Sequence, residues 1–369
     1  MIKKKTILII GGYGGTGKIV ARTLLRETSV NVVIAGRRKE KAEEISALLN
    51  QEFHDGRASA CFVDTDNKES VTAALPNVDL VILATTTPES CFMVAEAALN
   101  AGIDYLDFLF NQETFARLSP LKEKIVKAKR IFITQAGFHP GLPAVFVREG
   151  ANYFDRYDTA VIGMAMNARF EKPESTIDLV KVAREFDAEI FDGENWRKAT
   201  FRDFQTFQFP PPFGKKKCFP LRMEELKSLP KRYYLKELGT YVAGFNWFVD
   251  NFVFPLIMLF HKVKKNSGTV LFTKLIYWGV NTFSPKQHKV VFLLEAEGLK
   301  DGQIKKVKII AEHDDPFLFT AAPIVACIKQ YLAGTIKKPG LHFMGHIVNT
   351  KKLFEDLKKM GIRIKVEES

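Results

Sequence analysis

The stretch TILIIGGYGGTG, residues 6–17, decides the fold. Its apolar run Ile7 to Ile10 reads as a strand and the glycines after it as a tight turn. Lys18 to Thr28, with Ile19, Val20, Thr23 and Leu24 at helical spacing, reads as a helix. Gly12, Gly14 and Gly17 form G-x-G-x-x-G, which between a strand and a helix is a dinucleotide-binding turn. Gly12 is expected to permit the sharp exit from the strand, Gly14 the approach of a pyrophosphate to the backbone, and Gly17 close helix–sheet packing. Tyr13, Gly15 and Thr16 complete this cradle, and the free amides and positive end of the helix would face the phosphates. The plain alternative is an ordinary glycine-rich turn.

Outward from that turn, VNVVIAGRR (residues 30–38) is a second strand. It ends about 20 residues on, where an NAD-binding unit places an acid for the ribose 2′-hydroxyl. This chain has Gly36, Arg37 and Arg38 there, with Lys41 one turn into the next helix. Guanidinium forks suit a 2′-phosphate, so NADP(H) is expected over NAD, with a solvated basic turn as the alternative. SACFVDTD (residues 59–66) reads as a third strand, and Asp64 at its end either accepts from an adenine amino group or is simply exposed. VDLVILATTTP is apolar throughout its strand, as strands buried on both faces are. It brings Thr85, Thr86 and Thr87 to the carboxyl edge, where a nicotinamide ribose would sit. Strands at 104–110 and 130–136, with a helix expected over 112–129, complete six βα repeats. The expectation for residues 1–140 is therefore an α/β fold, a Rossmann-type doubly wound parallel sheet.

The 369 residues leave room for two or three domains. The net charge of +12 is dispersed over short lysine groups without a nucleic-acid-binding pattern, so no nucleic-acid partner is expected. Cys61, Cys91, Cys218 and Cys327 are scattered and read as reduced thiols of a cytoplasmic protein. The apolar run near the start is too short for an export signal.

From Arg156 the pattern changes to alternating strands, with hairpin signals at Asp192-Gly193 and Asp301-Gly302. Residues 141–318 are expected to form a second, α+β domain for substrate and dimerisation, built on a mixed, largely antiparallel sheet. Residues 319–369 are expected to be a helical segment packing back on the first domain. Residues 241–284 are unusually apolar and aromatic, yet their longest apolar run, Phe252 to Phe260, is nine residues, short of the roughly 20 that span a bilayer. A dimer interface or cleft wall, a buried core hairpin, and a peripheral membrane contact aided by Lys262 to Lys265 are the open readings.

The motifs IGGYGGTGK, AGRR, ATTTPES, AGIDYLDF, GFHPGLPA, FNWFVD (Phe245 to Asp250) and TAAPIVACIKQYLAG together resemble the saccharopine dehydrogenase-like (saccharopine reductase) family. The likeness is to its NADP-binding-domain branch of unknown substrate. The resemblance implies a Rossmann domain joined to a catalytic domain, NADP(H), a small-molecule substrate and a homodimer. Members that make saccharopine reduce an imine, whereas others act as trans-acting enoyl reductases on lipids. Relatives that bind amino-dicarboxylates carry an acid-Pro-Gly turn after the sixth strand; this chain has His139-Pro140-Gly141.

Hydride transfer to an iminium needs positioning and little else, whereas a carbonyl or alkene also needs a proton donor. His139, just past the sixth strand, is the candidate acid/base, with a turn-capping histidine as the alternative. Asp107, at the end of the fifth, either faces the cleft or bonds the loop. Arg197 and Arg202 are candidates for a substrate carboxylate, or belong to a surface hairpin. His342 and His346 have metal spacing but no H-E-x-x-H acid, so no metal is expected. The readings are an NADP(H)-dependent oxidoreductase acting on an imine or related double bond, an enoyl or lipid-linked reductase, or a non-enzymatic NADP-binding regulator or membrane-associated scaffold.

Overall fold

The computed structural model describes residues 4–85, 88–167, 169–170, 173–263 and 267–369. The chain divides into two compact units, Met1–Val145 with Phe317–Gly361, and Phe146–Pro316 with Ile362–Ser369.

The first unit is built on β1 (Thr6–Ile10), β2 (Asn31–Gly36), β3 (Ala58–Phe62), β4 (Leu80–Leu83), β5 (Asp104–Asp107) and β6 (Ile131–Thr134). They lie in the order β3-β2-β1-β4-β5-β6, and Gly340–Phe343 adds a seventh strand beside β6. Every pairing is parallel. The order reverses between β1 and β4, so the carboxyl edge there is the switch point at which such sheets bind ligands. The central strands β1 and β4 are apolar on both faces and buried at all but one position. Leu8, Ile10, Val81, Leu83, Tyr105 and Phe132 form one cluster with Val94, Leu118 and Ile125 from helices. Helix α1 (Gly15–Glu27) buries Val20, Ala21, Leu24 and Leu25, and α2 (Lys39–Phe53) buries Ala42 and Leu49. The single helix expected over 112–129 is instead Thr114–Leu118, a 3₁₀ turn Ser119–Leu121 and Lys122–Lys127. Pro120 lacks the amide that would carry one helix through.

The segment 319–369 is not wholly helical. Helix Pro316–Leu332 belongs to the first unit, where the Tyr331 hydroxyl donates to Asp104 Oδ2 at 2.7 Å and Lys329 pairs with Asp356 at 2.8 Å. The strand Gly340–Phe343 and helix Thr350–Lys359 follow. The last strand, Arg363–Glu368, pairs in the second sheet.

That second sheet comprises β7 (Arg156–Asn167), β8 (Glu189–Asp192), β9 (Asn195–Lys198), β10 (Gln205–Phe209), β11 (Gly214–Leu221), β12 (Glu237–Ala243), β13 (Lys289–Lys300), β14 (Gln303–His313) and Arg363–Glu368. Its path is β10-β11-β12-β7-β13-β14 and then the last strand, with the β8–β9 hairpin on β12. Only β12 and β7 run parallel, so the sheet is mixed and largely antiparallel. The β13–β14 turn has Asp301 at φ 51° and Gly302 at φ 76°, the two positive values of a type I′ hairpin.

In the apolar segment, a π turn Val249–Val253 leads into helices Phe254–Val263 and Thr269–Phe283. Their inner face, Val249, Val253, Ile257, Phe272, Ile276 and Val280, packs with Val180 of helix Ile177–Glu185. Two polar side chains of the second of these helices, Thr269–Phe283, also point inward. Asn281 donates to the Phe170 carbonyl and accepts its amide at 3.0 and 3.1 Å, and Thr273 is buried. Among the described residues no helix is long and apolar enough to cross a membrane.

Candidate functional site

The turn after β1 is set by two glycines. Gly11 has φ 87°, and a Cβ there would lie 2.4 Å from the Ala84 carbonyl oxygen. The sharp exit from the strand is thus made at Gly11, not at Gly12, because Gly11 alone takes the left-handed conformation and abuts the end of β4. At Gly17 a Cβ would lie 2.4 Å from the Gly11 carbonyl oxygen and 2.9 Å from Gly12 Cα, so α1 can pack this close only on glycine. Gly14 is the N-cap residue. No side chain caps α1 and its first turn holds no acid, which leaves the amides of Gly15 and Thr16 to an anion.

Beyond the turn the Tyr13 ring covers Gly36, where a Cβ would lie 2.5 Å from it. The Tyr13 hydroxyl accepts the Arg38 amide at 3.3 Å, and the Arg38 guanidinium lies 5.3 Å from the ring centre. Arg37 reaches Asp66 at 3.9 Å with both side chains exposed, an ion pair of about 0–1 kcal/mol that a phosphate can displace. Asp64 is partly committed, since its Oδ1 accepts the Asp66 amide at 3.1 Å. Thr85 follows β4 at the switch point, while Thr86 and Thr87 lie outside the described residues. The edge therefore brings the turn residues Gly12, Tyr13, Gly14, Gly15, Thr16 and Gly17 beside Arg37 and Arg38 at the end of β2. The roles of Gly11 and Gly36 escaped the reading of the sequence. Their only signals are the doubled glycine before the motif and a glycine where β2 otherwise favours β-branched residues.

Asp107, at the end of β5, is fully buried. Its Oδ1 accepts from Thr134 Oγ1 at 2.9 Å, the Gln135 amide at 3.0 Å and the Leu109 amide at 3.2 Å. The carboxyl thus ties the ends of β5 and β6 together, the loop-bonding alternative, and has no exposed surface from which to act on a substrate. Burial pushes its pKa up to about 6, against the pull of those hydrogen bonds. Because the folded value lies above the unfolded 3.8, the native state holds the extra proton between roughly pH 4 and 6, and stability falls as pH rises through that window. Asp107→Asn keeps an acceptor without the charge. The variant is expected to gain about 2–3 kcal/mol relative to the parent between pH 4 and 7, read by urea unfolding at each pH. Parallel stability curves would contradict this.

His139 follows Gly137 and Phe138 in the turn after β6. Its ring lies 5.8 Å from that of Phe138 and 6.2 Å from that of Phe110, and Phe138 itself packs edge-on against Phe319 at 5.4 Å. Burial lowers the His139 pKa to about 3, so the imidazole is neutral at ordinary pH. It sits at the expected strand end, in surroundings that disfavour an imidazolium.

Arg197 and Arg202 lie on the surface of the second unit. Arg197 Nε donates to Asp192 at 3.1 Å and its Nη2 to Asp203 at 2.7 Å. The two carboxylates hold its pKa above the usual arginine value. The guanidinium is therefore a clasp of its own hairpin rather than a receptor for a substrate carboxylate, and Arg202 is exposed beside it. Arg197→Ala is expected to change stability by less than about 1 kcal/mol, checked by thermal unfolding. The His342 ring meets the Lys338 carbonyl at 3.0 Å, and among the described residues no cluster of metal-ligand type occurs.

Residues 7–133 match the family model described as Saccharopine dehydrogenase NADP binding domain. The uncharacterized oxidoreductase YuxG of Bacillus subtilis (strain 168) is 30% identical over 129 residues, 31% of this chain and 18% of that protein. The match therefore spans under a fifth of that relative. The apo saccharopine dehydrogenase (L-Glu forming) of Saccharomyces cerevisiae aligns with TM-score 0.71 and 14% identity, covering 99% of this chain and 100% of that one. At that identity the likeness is one of fold. Residues 7–133 are thus similar to an NADP-binding domain of the saccharopine dehydrogenase kind, and the chain as a whole shares the fold of that solved structure.

Proposed function

We propose, from a nucleotide-binding domain of this family, that the chain is an NADP(H)-dependent oxidoreductase transferring hydride to an imine or a related activated double bond. The observation that carries the cofactor is the end of β2. Arg38 lies over Tyr13, Tyr13 covers Gly36, and Arg37 is held only by an exposed pair with Asp66. The end of β2 itself offers two cations and no acid where a 2′-phosphate would stand, and Asp66 reaches it only through the exposed Arg37 pair. The uncapped amides of α1 would hold the pyrophosphate, and Arg37 and Arg38 the 2′-phosphate. NADPH, when bound, supplies the hydride.

The turn after β6 supports imine chemistry over carbonyl reduction. An iminium already carries the charge that hydride transfer neutralises, so the protein needs to place it and exclude water. His139 is neutral, and Asp107 has no exposed surface and holds Thr134 and two backbone amides through Oδ1, so neither is placed to protonate an alkoxide. His139 is assigned to contact with the substrate as a neutral imidazole, and Asp107 to positioning the loop that carries it.

Calorimetric titration with NADPH and NADH, followed by a screen of amine–aldehyde pairs for NADPH oxidation, tests the reading. Tighter NADPH binding with turnover of an imine-forming pair is expected. Failure to bind either nucleotide would overturn the reading, and binding without turnover would favour a regulator. A second reading, an enoyl or other lipid-linked reductase, is favoured by the exposed apolar side chains of the second unit.

A further inference from the structure

We propose that the outer face of the helical segments 247–263 and 269–283 docks on an anionic bilayer surface, lying in the headgroup boundary without crossing it. The pair has two apolar faces and its core uses one. On the inner side Val253, Ile257, Phe272, Ile276 and Val280 are at most 2% exposed. On the outer side Trp247, Leu256, Leu259, Phe260, Leu271 and Trp278 are 42% to 58% exposed. Leu256, Leu259 and Phe260 recur at i, i+3 and i+4, the stripe of a helix face that seeks an apolar partner. Singly exposed leucines are ordinary, but six large apolar side chains on one pair of helical segments mark an interaction surface.

Length and side-chain chemistry decide the partner. The two helices have 10 and 15 residues, below the roughly 20 that a spanning helix needs, so the face lies on a membrane rather than in it. Two of the six side chains are tryptophans, whose amphipathic rings favour the headgroup level. From Asn251 to Leu294 the sequence has no aspartate or glutamate and carries Lys262, Lys264, Lys265, Lys274, Lys286 and Lys289. Of these, Lys289 pairs with Glu312 at 3.0 Å and Lys274 is exposed. An apolar stripe flanked by lysines without acids is complementary to anionic lipid. A second copy of the chain suits it less, because a two-fold interface would set this lysine-rich stretch against itself with a single acid between residues 247 and 283, Asp250, which is already bonded to the Phe245 amide at 2.9 Å.

The test is flotation of the full chain with phosphatidylcholine vesicles containing about 30 mol % phosphatidylglycerol, at low salt and at about 0.5 M salt. Binding to the anionic vesicles at low salt is expected, weakened about tenfold by salt and about tenfold by the double variant Leu259→Ser, Phe260→Ser. Both positions lie outside the nucleotide-binding domain, so the variant should keep the parental NADPH affinity. Phe260 also packs edge-on against Phe272 at 5.4 Å, so Leu259→Ser alone, at a position 57% exposed, should keep the parental Tm and still weaken flotation. Fluorescence adds a readout of geometry. The chain has three tryptophans, and a vesicle-induced blue shift should vanish in Trp247→Phe, Trp278→Phe, which retains Trp196. The proposal is overturned if the chain fails to float at low salt, or if the serine variant floats as well as the parent. It is also overturned if sedimentation velocity reveals a dimer that the serine variant dissociates and that does not float. None of these readouts uses turnover, so the outcome is independent of the redox reading.

Discussion

Gly17→Ala is expected to lower NADPH affinity by more than about 100-fold and to cost about 1–3 kcal/mol of stability. The new methyl would lie 2.4 Å from the Gly11 carbonyl oxygen and 2.9 Å from Gly12 Cα. Both are backbone atoms, so no side chain can rotate away. Helix α1 must back off from β1, and its amides then miss the phosphates they are placed to meet. Gly14→Ala separates the two effects. There the methyl meets only the Gly11 carbonyl oxygen at 3.1 Å and the backbone sits at φ −71°, which alanine adopts readily. Near-parental stability with weakened binding is expected for Gly14→Ala, and loss of both for Gly17→Ala. Urea unfolding and calorimetry on the pair distinguish them. Parental NADPH affinity in Gly17→Ala would move the cofactor away from this turn.

The second large effect is on cofactor choice. Arg38→Ala should weaken NADPH about 10–100-fold, the worth of a charge-assisted, forked contact to phosphate, while leaving NADH nearly unchanged. Arg37→Ala should act in the same direction and more weakly, because the parental side chain must first leave Asp66. Arg38→Lys is the informative conservative change, since it keeps the charge but loses the fork and the planar contact with Tyr13. Calorimetry with both nucleotides is the measurement. Equal weakening of NADPH and NADH would assign Arg38 to general phosphate binding, and no weakening would make AGRR a solvated turn.

The first domain could be read from the chain because its chemistry is redundant. Each strand buried on both faces is a nearly unbroken apolar run, each is followed by a helical period, and the glycines interrupt the pattern where the backbone must turn. The seventh parallel strand was not legible. GLHF is four residues long and opens on a glycine, so nothing local distinguishes it from a turn, and only the open side of β6 makes it a strand. Arg363–Glu368 reads RIKVEE, whose alternation is faint and whose charges suit an edge. In the site, the cations at the end of β2 were legible because an absent acid is conspicuous at a fixed spacing. The environments of Asp107 and His139 were not, because burial is a property of the neighbours. A carboxylate at a strand end has the same letter whether it faces solvent or three amide and hydroxyl donors. The partners of Arg197 were not legible for a similar reason, since Asp192 and Asp203 are close in sequence but meet it only when the β8–β9 hairpin and the turn after β9 have folded.

The placement of Gly340–Phe343 bears on how this domain can be inherited. A gene segment ending soon after β6 would encode the whole glycine turn and both arginines, and would look modular. Its product would present the backbone of β6 as an open edge, a template for pairing with other chains. The nucleotide-binding domain is thus a composite of Met1–Val145 and Phe317–Gly361. Recombination that moves the first third alone would carry the binding residues but leave behind the strand that closes their sheet.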